Sequence, residues 1–380
     1  MKHVPDILYG LFVLFVAVQS YQHPAHNWDV IGYAAVALSY DEKDMQRVHD
    51  SVYQTLKTTV PSINHYFSLQ SGDAYRHEVA QNVQSFSQQL PFYTAKPLYP
   101  LLAYALSKFG MNAVQATTLI SILSFLLVSV IVFVWLRKQF RGVALLIASL
   151  LLLLVTNLSF VARLSTPDAL SGALLLTAFF LYLETSFKLP SVILLSMAIL
   201  ARPDSIIVVG FLFLYFAVRG NDNTRISLGQ LVALEALALG ILLTVYVATD
   251  HYGWKTLFYH TFIQQLNYPA DQPVSLSVGD YCYALVRGVR QTIFRSQFNS
   301  FPFFLLITFA LGFLQRYTPS ERRQHIELSS LMIVTVFVHF LLFPDGEAID
   351  RFSVAQFSFV GIVFMTQLSL LFDYGRQSTG

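Results

Sequence analysis

Hydrophobic positions in this chain fall into long unbroken runs instead of alternating with polar ones. The runs lie at about 5–21, 113–136, 143–162, 168–187, 189–201, 204–218, 227–249, 301–316, 328–343 and 353–373. Most approach the roughly 20 apolar residues that a helix needs to cross a bilayer, so the pattern predicts about ten transmembrane helices and no sheet. Two polar segments interrupt the series, 22–112 after the first run and 250–300 after the seventh. The whole chain, 1–380, reads as a single all-α multi-pass membrane domain with two large loops on one side.

The first polar segment carries amphipathic structure of its own. Residues 29–38 (DVIGYAAVAL) are apolar on most sides, and Asp50 to Leu56 predicts a short helix with Tyr53 and Leu56 on one face. The stretch from Pro97 to Phe109 (PLYPLLAYALSKF) is too short to span and fits a helix lying at the interface, started by Lys96-Pro97 and stopped by Gly110. Runs 189–201 and 204–218 are also short: thirteen residues reach only about 20 Å of a hydrocarbon layer about 30 Å thick. We read them as a hairpin whose tip, Ala201-Arg202-Pro203-Asp204, lies below the outer interface, where a charge is costly and so tends to be functional.

Composition agrees with the pattern. The chain is 55% hydrophobic and only 12% charged, against about 25% charged in soluble domains, and a net charge of +2 gives no basic field for nucleic acid. Cys282 is the only cysteine, which excludes an internal disulfide. Lysine and arginine in the short connections set the orientation. With the N-terminus inside, Lys2, Arg137, Lys138, Arg141, Lys188, Arg219, Arg225, Arg316, Arg322, Arg323 and Arg376 are cytoplasmic, while the short outer turns hold Arg163, Arg202 and Arg351. Residues 7–20 then form an uncleaved first span in preference to a signal peptide, because no small-x-small cleavage site follows them. Both polar segments face the periplasm or lumen, and a bacterial inner membrane is the expected location.

Candidate chemistry gathers on that outer side. Asp29, in "HNWDVIGY", can serve as a general base at a partly dehydrated boundary, with Asp41 as the alternative; helix capping is the plain structural role for Asp29. Lys96, Arg202 and Arg351 are candidates for meeting a phosphate, against snorkelling to lipid headgroups. Asp168 and Asp204 each follow a proline at the start of an apolar run, which favours helix capping over orienting Arg163 or Arg202. The series His23, His26, Asp29 has metal-like spacing, but Pro24 breaks the helix that such a site would need, and no cofactor is called for. Glu235 sits mid-run in "QLVALEALALG" and is the basis of a rival class, a proton-coupled transporter or flippase. His339 reads as a packed interior residue.

Taken together, "KPLYPLLAYALSKFG", "STPDALSGALLL", "ARPDSIIVVG" and "DRF" on this topology resemble the type C glycosyltransferases (GT-C fold). Such enzymes move a sugar from a polyprenyl-phosphate carrier to a glycan, lipid or protein acceptor on the non-cytoplasmic side. The resemblance implies that Asp29 is the catalytic acid of the first outer loop. It also implies that Lys96 contacts the carrier phosphate, as in the aminoarabinose-transferase branch. Arg351-Phe352 stands where that branch often has Arg-Tyr, and Asp41-Glu42 matches the Asp-Glu pair of the protein O-mannosyltransferase branch, leaving Asp29 or Asp41 as the equivalent acid. Tyr33, Tyr99 and His260 complete the expected substrate contacts. The carrier tail is expected along helix 97–109, and the segment bearing His251, Tyr259, His260, Tyr268 and Tyr281 is expected to close over the sugar.

Overall fold

Helices occupy all ten apolar stretches in the computed structural model, which describes residues 3–60, 63, 73–185, 187–294, 300–314 and 320–378. The fold is 78% helix, with no strand among the described residues. Among the described residues, five helices are long and apolar enough to cross a membrane: Val4–Gln22, Ala113–Leu136, Leu228–Ala248, Arg323–Leu342 and Val354–Leu371. The others are shorter. Gly142–Val155, Lys188–Ala201 and Ser205–Arg219 hold 14, 14 and 15 residues, or about 21–23 Å of helix. Of the basic residues used to orient the chain, Lys2 and Arg316 lie outside the described residues.

Local chemistry explains where the helices begin and end. Asn112 caps Ala113–Leu136 by accepting the Gln115 N–H at 2.8 Å, and Ser227 with Gln230 forms a capping box on Leu228–Ala248. The expected continuous run 143–162 is broken: Thr156 Oγ1 donates back to the Leu152 carbonyl at 2.7 Å, and Asn157 takes a left-handed φ of 55° before a short helix at Leu158–Val161. Between Lys188–Ala201 and Ser205–Arg219 the chain turns sharply at Arg202-Pro203-Asp204, and Arg202 is buried.

Helix Asp168–Glu184 is the hub of the bundle, packing against Ala113–Leu136, Lys188–Ala201 and the C-terminal helix Val354–Ser378. A separate apolar core lies under the first polar segment. There, helix Asp29–Ser39 buries every residue from Val30 to Ala37 between Met45–Thr59, Leu98–Ser107 and the start of Ala113–Leu136. The predicted helix around 50–56 extends over Met45–Thr59, because Asp44 caps it by accepting the Gln46 N–H at 2.9 Å. Gly32 is required by close approach: a Cβ there would stand 2.3 Å from the Tyr93 ring. This contact sets Tyr33, one residue on, against the Tyr93 and Tyr99 rings.

Candidate functional site

A cavity of about 400 Å³ opens where the two polar segments meet the bundle. That size suits a small-molecule site. Five elements supply its polar wall: the start of helix Asp29–Ser39, the loop at Lys96, the start of Asp168–Glu184, the 202–204 turn, and the short helix Ile349–Phe352. Asp29, Tyr33, Lys96, Arg202, His260 and Arg351 all line it, although 322 residues separate the first from the last.

The two arginines differ in how they are held. Arg202 is saturated: Nε and Nη2 donate to Asp204 at 3.1 and 2.6 Å, and Nη1 donates to Asp168. Asp204 also meets His339 Nε2 at 2.7 Å, and Thr166 Oγ1 donates to Asp168 at 2.7 Å. Phe352 covers the Arg202 guanidinium at 4.2 Å. Asp168 keeps the expected place in the first turn of its helix and Asp204 stands at the start of Ser205–Arg219, but neither makes a side-chain cap hydrogen bond; both carboxylates engage Arg202. Arg351 is held loosely. Its Nη1 lies 3.8 Å from Asp29 and its Nε 3.5 Å from Asp168, and that buried Nε has no hydrogen-bond partner among the described residues.

Lys96 is half-buried, its Nζ 5.6 Å from the centroid of the Tyr33 ring, with no carboxylate in ion-pair range among the described residues. Burial pushes its ammonium down from the ordinary lysine value, and the Asp29 charge opposes the shift. Asp29 is one-third exposed and accepts from Asn27 Nδ2 at 3.1 Å; Asn27 in turn accepts the Ser165 N–H at 2.8 Å, tying the acid to the bundle. Burial and the nearby Asp29 charge hold the Tyr33 phenol protonated. The site therefore offers the Asp29 carboxylate beside two cations with donors to spare, with Asp345 also on the wall and a hydrogen-bonded Asp168–Arg202–Asp204–His339 cluster behind them.

Aromatic groups form the opposite wall. His251 and His260 line it, both pushed down to about 4 by burial, with Lys96 adding to the shift of His251. Each imidazole Nδ1 accepts a backbone N–H: from Gly253 at 2.9 Å for His251, and from Leu266 at 3.0 Å for His260. Tyr246 and Trp254 join them, whereas Tyr259, Tyr268 and Tyr281 do not reach the cavity. Tyr268 donates to Glu78 at 2.5 Å and Tyr281 to the Leu341 carbonyl at 2.8 Å. Residues 263–277 form a strap resting on helix Val83–Gln89 through polar groups: Gln88 donates to Asp271 at 2.7 Å, and Gln89 to the Leu266 carbonyl at 3.0 Å.

Other expected site residues lie elsewhere. Asp41 is exposed on the far end of its helix, paired with Lys108 and accepting from Tyr104 at 2.8 Å, because the helix Asp29–Ser39 carries it away from the bundle. Tyr99 stays behind Tyr33, fully buried, with its hydroxyl on the Thr117 carbonyl at 2.8 Å. No residue of helix Leu98–Ser107 lines the cavity; its apolar end is instead made by Ile206, Ile207, Leu242, Leu342 and Phe343. Glu235 sits beside Gly210, away from the cavity. His339 is the packed interior residue expected, set against Phe343 and Phe352, and it also joins the charge cluster through Asp204; the Pro-Asp in "ARPDS" was the signal for that acidic partner. Comparison of this chain with family models, curated proteins and solved structures finds no match.

Proposed function

We propose that this chain is a membrane glycosyltransferase of the type C class, with about ten transmembrane helices, an inside N-terminus and a cavity open to the extracytoplasmic face of a bacterial inner membrane. Its donor is a sugar linked to a polyprenyl phosphate, and its acceptor a glycan, lipid or protein hydroxyl. The observation that carries this reading is the meeting of Asp29, Lys96 and Arg351 in one cavity that has an aromatic wall and an apolar end.

In this mechanism the sugar lies against the aromatic wall and the first isoprene units run past Ile206, Ile207 and Leu242. Asp29 accepts the proton of the acceptor hydroxyl as its oxygen bonds to the anomeric carbon. The bond from that carbon to the phosphate oxygen breaks, and its electron pair leaves with the polyprenyl phosphate. Lys96 and Arg351 meet the charge that develops on that oxygen, where little water competes. Arg202, already neutralised, holds the cavity floor and leaves the phosphate to the other two cations.

The test is to supply membranes containing the protein with labelled prenyl-phosphate sugars and to follow release of free prenyl phosphate. Consumption of at least one donor by the parent chain and none by Asp29→Asn supports the proposal. Equal rates for the two overturn it.

A further inference from the structure

The loop between helices Leu228–Ala248 and Gly253–Phe262 is shaped around His251. Asp250 takes a left-handed φ of 47° and Gly253 one of 83°, so the backbone bends on either side of the histidine. At Asp250, which carries a Cβ, that conformation is strained, and such strain persists only where the surroundings over-determine it. The His251 ring lies flat on Tyr246, with centroids 4.6 Å apart and planes 7° from parallel. Its Nδ1 accepts the Gly253 N–H at 2.9 Å, which satisfies one of the orphan donors at the start of the following helix. A ring nitrogen that accepts carries no proton, so the neutral imidazole is protonated on Nε2. That Nε2–H has no hydrogen-bond partner among the described residues and is not shielded from solvent, on a residue that lines the cavity of about 400 Å³. His260 differs: its Nδ1 accepts from Leu266 and its Nε2 faces the Tyr75 hydroxyl at 3.5 Å. Stapling the turn accounts for His251 Nδ1 and leaves Nε2–H without a role. Burial and Lys96 push the ring down to about 4, so through the neutral range Nε2–H donates and does not accept.

We propose that His251 is a specificity-determining residue of this cavity, its Nε2–H donating to an uncharged oxygen of the transferred sugar. This contact rests on the donor being the prenyl-linked sugar of the proposed reaction. There Lys96 and Arg351 meet the phosphate, which leaves the neutral donor for the sugar. A hydroxyl or an amide carbonyl oxygen can accept from a fixed N–H; an ammonium, which only donates, cannot. The favoured sugar therefore presents a hydroxyl or an acetamido group at His251, and an amino sugar with its ammonium at that position is excluded. Because the ring is already fixed by the turn and the stack, little ordering is left to oppose the contact when the sugar binds.

The experiment measures binding by the full-length protein purified in detergent, with farnesyl phosphate and a panel of farnesyl-phosphate hexoses and N-acetylhexosamines as probes. At least one sugar-bearing probe is expected to bind tighter than farnesyl phosphate. His251→Phe keeps the stack on Tyr246 and removes the donor, so it should weaken that probe about tenfold and leave farnesyl phosphate unchanged. Since Phe also gives up the Gly253 contact, the histidine is read in the parent as well, by NMR of the labelled imidazole nitrogens. The Nε2–H tautomer is expected at neutral pH, with its resonance shifting on addition of the sugar-bearing probe and not of farnesyl phosphate. Parental binding by His251→Phe, equal weakening of both probes, an Nδ1–H tautomer, or no sugar preferred over farnesyl phosphate would each overturn the assignment. Sugar-dependent binding through His251 with no release of prenyl phosphate would instead sink the transferase reading and leave this contact standing.

Discussion

Arg351 Nη1 stands 3.8 Å from Asp29 Oδ2, close enough to feel its charge and too far to hydrogen-bond it. A tight pair would occupy both groups; this spacing leaves the acid able to take a proton and the guanidinium able to receive an anion. Asp29→Asn keeps the side chain's size and its place at the start of the helix while removing its basicity. Transfer should fall about 10²–10⁴-fold. Asp41→Asn, on the exposed end of the same helix, should change transfer little, as measured by release of prenyl phosphate.

The contrast between the arginines separates binding from stability. Arg202→Gln leaves Asp168 and Asp204 facing each other without their cation, and breaking such a buried pair costs about 3–5 kcal/mol. It should unfold earlier under thermal or denaturant challenge. Arg351→Gln removes a loosely held group and should keep the parental unfolding temperature while lowering turnover about 10²–10³-fold. If both variants lose stability equally, the division of roles is wrong.

In the proposed mechanism Lys96 would set the alkaline side of the activity profile. Burial lowers its affinity for a proton, so turnover should decline with rising pH before an exposed lysine would deprotonate. Lys96→Arg retains a cation at every accessible pH and should move that decline upward, even if its rate at pH 7 is reduced. The pH profile of both proteins decides.

Acid should loosen the aromatic wall. His260 drops from an ordinary 6.5 to about 4 because burial disfavours the imidazolium. Between those values the folded protein binds fewer protons than the unfolded chain, so stability that is complete above pH 6.5 falls as pH drops toward 4. For this largely buried ring the loss is on the order of 3 kcal/mol. His260→Phe should unfold with a shallower pH dependence across that window.

Gly32→Ala should damage the site from behind. Its Cβ would meet the Tyr93 ring at 2.3 Å, and the ring must swing toward the cavity or the helix must shift, carrying Tyr33 and Asp29 with it. Turnover should fall several-fold more than stability predicts, with Ala35→Gly, elsewhere on the same helix, as the comparison.

Much of this architecture was readable from residue order alone. All ten apolar runs fall on helices, because the requirement to bury backbone in hydrocarbon leaves a strong, local mark, whereas the polar segment 250–300 holds helices Gly253–Phe262 and Val278–Phe294, which its mixed pattern did not announce. Asp29, Lys96, Arg202 and Arg351 could be named singly for the same reason: each is a charge at an apolar boundary. Their relationships could not. Nothing in sequence spacing says that Asp204 engages both Arg202 and His339, or that Tyr99 turns away toward Thr117. The break at Asn157 was missed because a left-handed residue inside an apolar run leaves the hydropathy pattern unchanged. Trp254 and Tyr246 escaped notice because aromatic residues are common near helix ends, and only tertiary packing selects those that face a cavity.

The strap at 263–277 grips its neighbour through glutamine, asparagine and aspartate side chains, and solvent can stand in for each of those grips nearly as well as protein does. Lifting it breaks those polar grips and uncovers Leu266, with Ile263 and Leu276 anchoring its two ends in the Phe258–Phe262–Ala284 cluster. Under the proposed function, a strap held this way would give a bulky acceptor a side door of its own, apart from the route by which a greasy donor would enter from the lipid.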